Sequence, residues 1–164
     1  KRIKYSAIII SALYAAGVPY IFYVADKDDA PGAVLIGLVF AAASIPGAII
    51  GASIEVHKQL GPGLLERAYE ACLAHELAAR KIQFIRQVPI PVTYKGQTLD
   101  CGFRADMIVE DKVLIEVKAV AAVVEIHKAQ ALTYLKLTGL RLCLIINFNA
   151  LLMRNGTERV VLNL

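Results

Sequence analysis

Two long stretches without a single charge constrain this chain more than anything else in it. "YSAIIISALYAAGVPYIFYVA" spans residues 5–25, and "APGAVLIGLVFAAASIPGAIIGASI" spans residues 30–54. A helix needs roughly 20 residues to cross about 30 Å of hydrocarbon, and each run is long enough. Neither run alternates as a strand would, and neither offers a polar face. Pro19 and Pro46 are tolerated in membrane helices. Ala41, Ala42, Ala43 and Gly47 would let two helices approach closely. "DKDD" at 26–29 separates the runs. The pattern predicts a two-helix transmembrane hairpin over residues 1–50, set in a lipid bilayer. "KRIK" at the start and a basic-leaning remainder place both termini in the cytoplasm, giving a multi-pass membrane protein. A processed leader with a basic start, or a helix pair buried in a larger assembly, are the alternatives.

From about residue 51 the texture changes, and residues 51–164 form a second predicted domain. This part carries 14 Lys and Arg against 11 Asp and Glu. That balance permits contact with a polyanion without requiring it. Cys72, Cys101 and Cys143 are far apart, show no metal spacing, and read as small core residues in a reducing compartment. "ASIEVHKQL" continues a helix that "GPG" at 61–63 interrupts. "LLERAYEACLAHELAARK" reads as an amphipathic helix with Leu64, Ala68, Cys72, Leu73 and Leu77 on its apolar face. "FIRQVPIPVTYKG" is strand-like, with Pro89 and Pro91 arguing for a sheet edge. "TLDCGFRADMIVED", a tight "EDK" turn and "KVLIEVKAV" give two further strands. "VEIHKAQALTYLKLTG" is a helix closed by Gly139 as a left-handed cap. "LRLCLIINFN" is a buried strand and "RVVLNL" a short final one. The order helix, three strands, helix, two strands predicts a small mixed α/β domain with helices covering a sheet.

One feature of that sheet is chemical. Asp106 and Glu116 bracket the turn at 110–112, so a hairpin brings them together. Glu116 and Lys118 are two apart and project from one face. Two converging carboxylates repel unless a cation intervenes, and a hard divalent ion such as Mg²⁺ or Mn²⁺ suits oxygen ligands. Lys118 beside it could orient a water or hold a phosphate, which suits phosphodiester hydrolysis. The same three residues also make an ordinary ion-pair network at a strand end. Either way, charges in so apolar a strand must be paired or used.

Residues 49–164 resemble the GxxExxY protein family, a branch of the PD-(D/E)XK, or restriction-endonuclease-like, nuclease superfamily. "GLLERAY" supplies Gly63, Glu66 and Tyr69. "IEVHKQLGPG", "VPIPVTYKG", "LDCGFRAD", "VLIEVKAV", "AQALTYLKLTG" and "INFN" follow the same order. Residues 1–48 fall outside the likeness. The resemblance implies a restriction-endonuclease-like core, with Asp106 as the first acid, preceded by Ala105 rather than proline. It implies Glu116 and Lys118 as the acid-x-lysine step. "QALTY" implies that Gln130 and Tyr134, four apart on one helical face, hold substrate phosphate or orient Lys118; without it they read as a solvated residue and a packing aromatic. Glu66 is expected either as a further metal-site residue or as a favourable charge at a helix start. Glu55 and His57 are its rivals, and at most one of them contributes. Tyr69 is expected to pack. His75 and His127 have no ligand spacing. Arg86, Lys95, Arg104, Lys128 and Lys136 are candidate phosphate contacts, with Arg104 the nearest in sequence to Asp106.

The reading that unites these features is a membrane-anchored, metal-dependent nuclease acting on DNA before RNA. No base-reading element is evident. Two alternatives stay open: a non-catalytic accessory subunit of a membrane complex that keeps a nuclease-like fold, and a nucleic-acid-binding module that does not cut.

Overall fold

The computed structural model describes residues 44–99 and 101–162. The predicted membrane hairpin falls on residues 1–43 for most of its length and so lies outside the described residues. Among the described residues, no helix is long and apolar enough to cross a membrane. The chain divides after Ala48, and its second unit, residues 49–164, is compact.

Helix α1 (Ile45–Leu60) begins inside the second uncharged run. Its buried residues, Ile49, Ala52, Ser53 and Val56, recur at three- and four-residue steps, which makes one helical stripe. Residues 49–54 therefore contribute to the core of the second unit. Ser53 satisfies its hydroxyl on the Ile49 carbonyl at 2.9 Å. The helix stops at Gly61, whose φ of 64° suits glycine.

Helix α2 (Glu66–Ala79) is rotated from its expected setting. Its buried face is Tyr69, Glu70, Leu73, Ala74 and Leu77. Leu64 is 43% exposed and Cys72 half-buried. Two interactions set the rotation. Tyr69 stacks on Phe148, with ring centroids 4.5 Å apart and planes 4° from parallel. Its hydroxyl donates to the Gly61 carbonyl at 2.6 Å and accepts from the Leu64 N–H at 3.1 Å. Tyr69 thus packs, and it ties down the loop between the two helices.

The main sheet has the order β1-β4-β5-β6-β7, comprising β1 (Phe84–Pro89), β4 (Arg104–Val109), β5 (Val113–Lys118), β6 (Leu142–Asn147) and β7 (Thr157–Val161). Only the β5–β6 pair is parallel. Helix α3 (Glu125–Thr138) makes the crossover between them and packs Ala131, Tyr134 and Leu135 on Leu114, Cys143 and Ile145. Strand β5 is central and covered on both sides, which explains its unbroken apolar run. Strand β1 lies at an edge and ends on Pro89. Glu110 and Asp111 both sit at φ 52° in the three-residue turn, 110–112, that joins β4 to β5. Gly139 caps α3 at φ 74°.

Three differences from the sequence reading stand out. The stretch expected as one strand through residue 96 is two: Pro91 cannot donate to a ladder, and a separate hairpin of β2 (Val92–Tyr94) and β3 (Gln97–Leu99) follows β1. A short helix α4 (Met153–Gly156) precedes β7. Of the three cysteines only Cys143 is a core residue; Cys101 is exposed.

Gly156 sits where no side chain fits. A Cβ there would run into the Asn147 carbonyl oxygen and come within 2.9 Å of the Ala150 Cβ. Gly156→Ala is therefore expected to destabilise the domain by about 1–3 kcal/mol, seen as a lower urea midpoint at unchanged slope.

Candidate active site

The site forms where the β4–β5 ladder ends. The last paired residues there are Met107 and Ile115. One step further the ladder stops, and Asp106 and Glu116 lie near enough there for the Asp106 charge to act on the Glu116 carboxyl. Asp106 does not leave the strand end open: its Oδ2 accepts the Val117 N–H at 2.8 Å. Lys118, two residues after Glu116, returns to the same face, and its Nζ donates to Glu116 Oε2 at 3.2 Å. Glu116 is 3% exposed, and its second oxygen, Oε1, is buried with no hydrogen-bond partner.

An orphaned carboxylate oxygen in a buried strand is costly, and the local electrostatics record it. Burial, then the nearby Asp106 charge, push the Glu116 carboxyl up to about 7 against the pull of Lys118. Asp106 is raised too, first by burial. The Val117 N–H and Lys118 oppose that rise, while Glu70 and Glu66 add to it. Burial alone would lower Lys118. The charge and hydrogen bond of Glu116, with Glu66 and Asp106 behind them, outweigh it and raise the ammonium above its ordinary value.

Neighbouring backbone fixes this strand end. Glu66, the first residue of α2, accepts the Ala119 N–H through Oε1 at 3.1 Å. It is therefore both an acid in a helix's first turn and a group whose field reaches Lys118 and Asp106. Asn147 lies beside Lys118 in the β5–β6 register. Its side chain accepts from Val120 N at 3.1 Å and donates to Val120 O at 2.9 Å. Gln130 donates to the Tyr134 hydroxyl at 2.9 Å across one turn of α3. Tyr134 packs in the cluster that holds Leu114 and Ile145, and Ile145 is the register partner of Glu116. Arg104 opens β4, exposed, and alternates to the face of Asp106.

Other candidates lie elsewhere. Glu55 accepts from Gln59 at 3.0 Å, and His57 Nε2 meets the Ala150 carbonyl at 2.8 Å, so neither rival of Glu66 joins the cluster. His127 Nδ1 accepts the Val124 N–H at 3.2 Å at the start of α3, and His75 is exposed. Lys128 pairs with Glu125 and Glu158, and Lys136 is exposed.

Sequence reasoning missed a second polar group beside Asp106. Glu70 is buried, and its two oxygens accept from Arg86 Nε and Gln87 Nε2, each at 2.9 Å. Gln87 sits at φ 50°, unpaired in the β1–β4 register directly across from Asp106. Glu70 has no basic residue four positions on, so only its position on the buried side of α2 could have hinted at this.

Among the described residues, no group of three or more His, Cys, Asp and Glu side chains converges as a metal site. The acids that do face one another are two, Asp106 and Glu116. Two hard oxygen donors with raised carboxyls, one bearing a buried orphan oxygen, fit a hard divalent cation that draws further ligands from water or backbone.

A sequence profile of the PD-(D/E)XK nuclease superfamily matches residues 43–160. The uncharacterised membrane protein YoaS of Bacillus subtilis (strain 168) is 47% identical over 55 residues. That match covers 34% of each chain, so the present chain spans about a third of that relative's length.

The Glu116 carboxyl makes a definite prediction for stability without metal. Unfolded, it releases its proton around pH 4.5; folded, it holds the proton up to about 7. The native state binds more protons in that window, so stability falls as pH rises through it and levels off above. Asp106, also raised, acts with the same sign. Urea midpoints measured from pH 4.5 to 8 in EDTA are expected to show this fall, and Glu116→Gln to flatten it.

Proposed function

Because the chain belongs to the PD-(D/E)XK nuclease superfamily, we propose that it is a metal-dependent phosphodiesterase that cuts nucleic acid, DNA before RNA, from a membrane anchor in its first fifty residues. The observation that carries the catalytic part is the buried, partnerless Glu116 Oε1 on the face shared by Asp106 and Lys118. A strand as apolar as β5 keeps such an oxygen at a cost, and a ligand at that oxygen removes the cost.

Asp106 and Glu116 are the residues that would hold Mg²⁺ or Mn²⁺, with Glu66 at the rim. When bound, such an ion neutralises the paired carboxylates and polarises a phosphate oxygen. The rest of the chemistry belongs to the chain. Asp106 is held in place by the Val117 N–H. Lys118 stays charged beside Glu116, where its ammonium can steady a phosphate oxygen or orient the attacking water. Glu66 and Asn147 clamp the backbone at Ala119 and Val120, just past Lys118. Gln130 and Tyr134, already bonded to each other, offer an amide and a hydroxyl above the same face for substrate phosphate. Arg104 adds an exposed cation on the side of Asp106.

The membrane anchor is supported by two uncharged runs of helical length and by a relative whose name describes a membrane protein. An accessory-subunit reading has one observation in its favour, the Lys118–Glu116 ion pair, which engages both groups without any substrate.

Cleavage assays separate the two. With Mg²⁺ or Mn²⁺, the detergent-solubilised chain is expected to cut DNA, and Asp106→Ala and Lys118→Ala to lose about 10²-fold or more in rate. Wild-type protein that leaves single-stranded and duplex substrates intact would favour the accessory subunit. For the anchor, the chain is expected to stay with membranes through a carbonate wash; release into the supernatant contradicts a spanning hairpin.

A further inference from the structure

The β2–β3 hairpin stands apart from the five-stranded sheet. Both strands are short and almost entirely exposed, and an isolated two-stranded hairpin is marginal in water. Yet it carries Tyr94, 60% exposed, with the Lys95 ammonium 5.4 Å from the ring centre. At its base stands Phe103, 46% exposed, immediately before Arg104. Aromatic and basic side chains alternate here, from the tip of the arm to the strand that carries Asp106.

Phe103 is exposed but not loose. Its carbonyl accepts the N–H of the buried Ile90 at 2.8 Å, which pins the backbone. Its ring meets the Tyr134 ring at 6.3 Å and 64°, an edge-on contact that fixes one side. Tyr134 is in turn held by Gln130. Phe103 lies only three residue steps from Asp106, about 10 Å along the strand. That spacing suits the base next to a phosphate held at the carboxylates.

Resting on the nucleic-acid reading above, we propose that Phe103, backed by Tyr134, is a stacking platform for an unpaired base, and that the β2–β3 arm extends the same track through Tyr94 and Lys95. The preferred substrate is then a single strand or a frayed end. In a duplex, base faces are already covered by their neighbours. An aromatic ring can take only a base whose face is free, and it takes any base, because each has a π-face. Lys95 and Arg104 supply the phosphate attraction that orients the strand.

The test uses the full chain in detergent with EDTA, so that nothing is cut. A single-stranded oligonucleotide carrying 2-aminopurine and a blunt duplex of the same sequence are titrated by anisotropy and fluorescence. Wild type is expected to bind the single strand more tightly and to quench the 2-aminopurine. Phe103→Leu keeps an apolar contact with Tyr134 but has no aromatic face. It should weaken single-strand binding about 5- to 100-fold, the range for one lost base stack, and abolish the quench. Phe103→Tyr should restore both. Duplex binding as tight as single-strand binding, or a Phe103→Leu protein that binds and quenches like wild type, overturns the proposal. A wild-type chain that cuts DNA with Mg²⁺ while showing either result sinks this proposal alone; one that neither binds nor cuts any nucleic acid sinks the nuclease reading with it.

Discussion

The structure of the site depends on how β4 and β5 part company. Up to Met107 and Ile115 the strands exchange ordinary ladder bonds. At the next step the Asp106 carboxylate takes the Val117 N–H. That substitution keeps the backbone donor satisfied, as a buried amide requires. It also brings a charged oxygen to the face where Glu116 is buried. The two acids are neighbours because a side chain continues a ladder.

Everything around that strand end resists its rearrangement. Helix α2 delivers Glu66 to the Ala119 N–H, and β6 delivers Asn147 to both polar groups of Val120. Phe148, whose N–H donates to the Lys118 carbonyl, also stacks on Tyr69 and so couples α2 to β6. Glu116 itself is buried, and burial together with the Asp106 charge raises its carboxyl. A bound cation would offset both effects.

Much of this was legible in the sequence because it follows from local rules. The three residues between β4 and β5, 110–112, read as a tight turn with Asp106 and Glu116 on either side of it. Gly139 reads as a left-handed cap, Pro89 as an edge, and the run from Val113 to Val117 as a strand covered on both faces. What was not legible depends on contacts distant in sequence. The rotation of α2 follows from a stack between Tyr69 and Phe148, 79 residues apart. The buried Glu70 is satisfied only by β1. The separate β2–β3 arm looks like a continuation of β1 until Pro91 is allowed to break it.

The central proposal is that Asp106 and Glu116 form a carboxylate pair fitted to a divalent ion. Binding of Mn²⁺ to the detergent-solubilised full chain, followed by electron paramagnetic resonance, tests it without any substrate. The account predicts saturable binding to wild type that is strongly weakened in Glu116→Gln and in Asp106→Asn, with both variants folded. Absence of saturable binding in wild type, or equal binding in both variants, would contradict it.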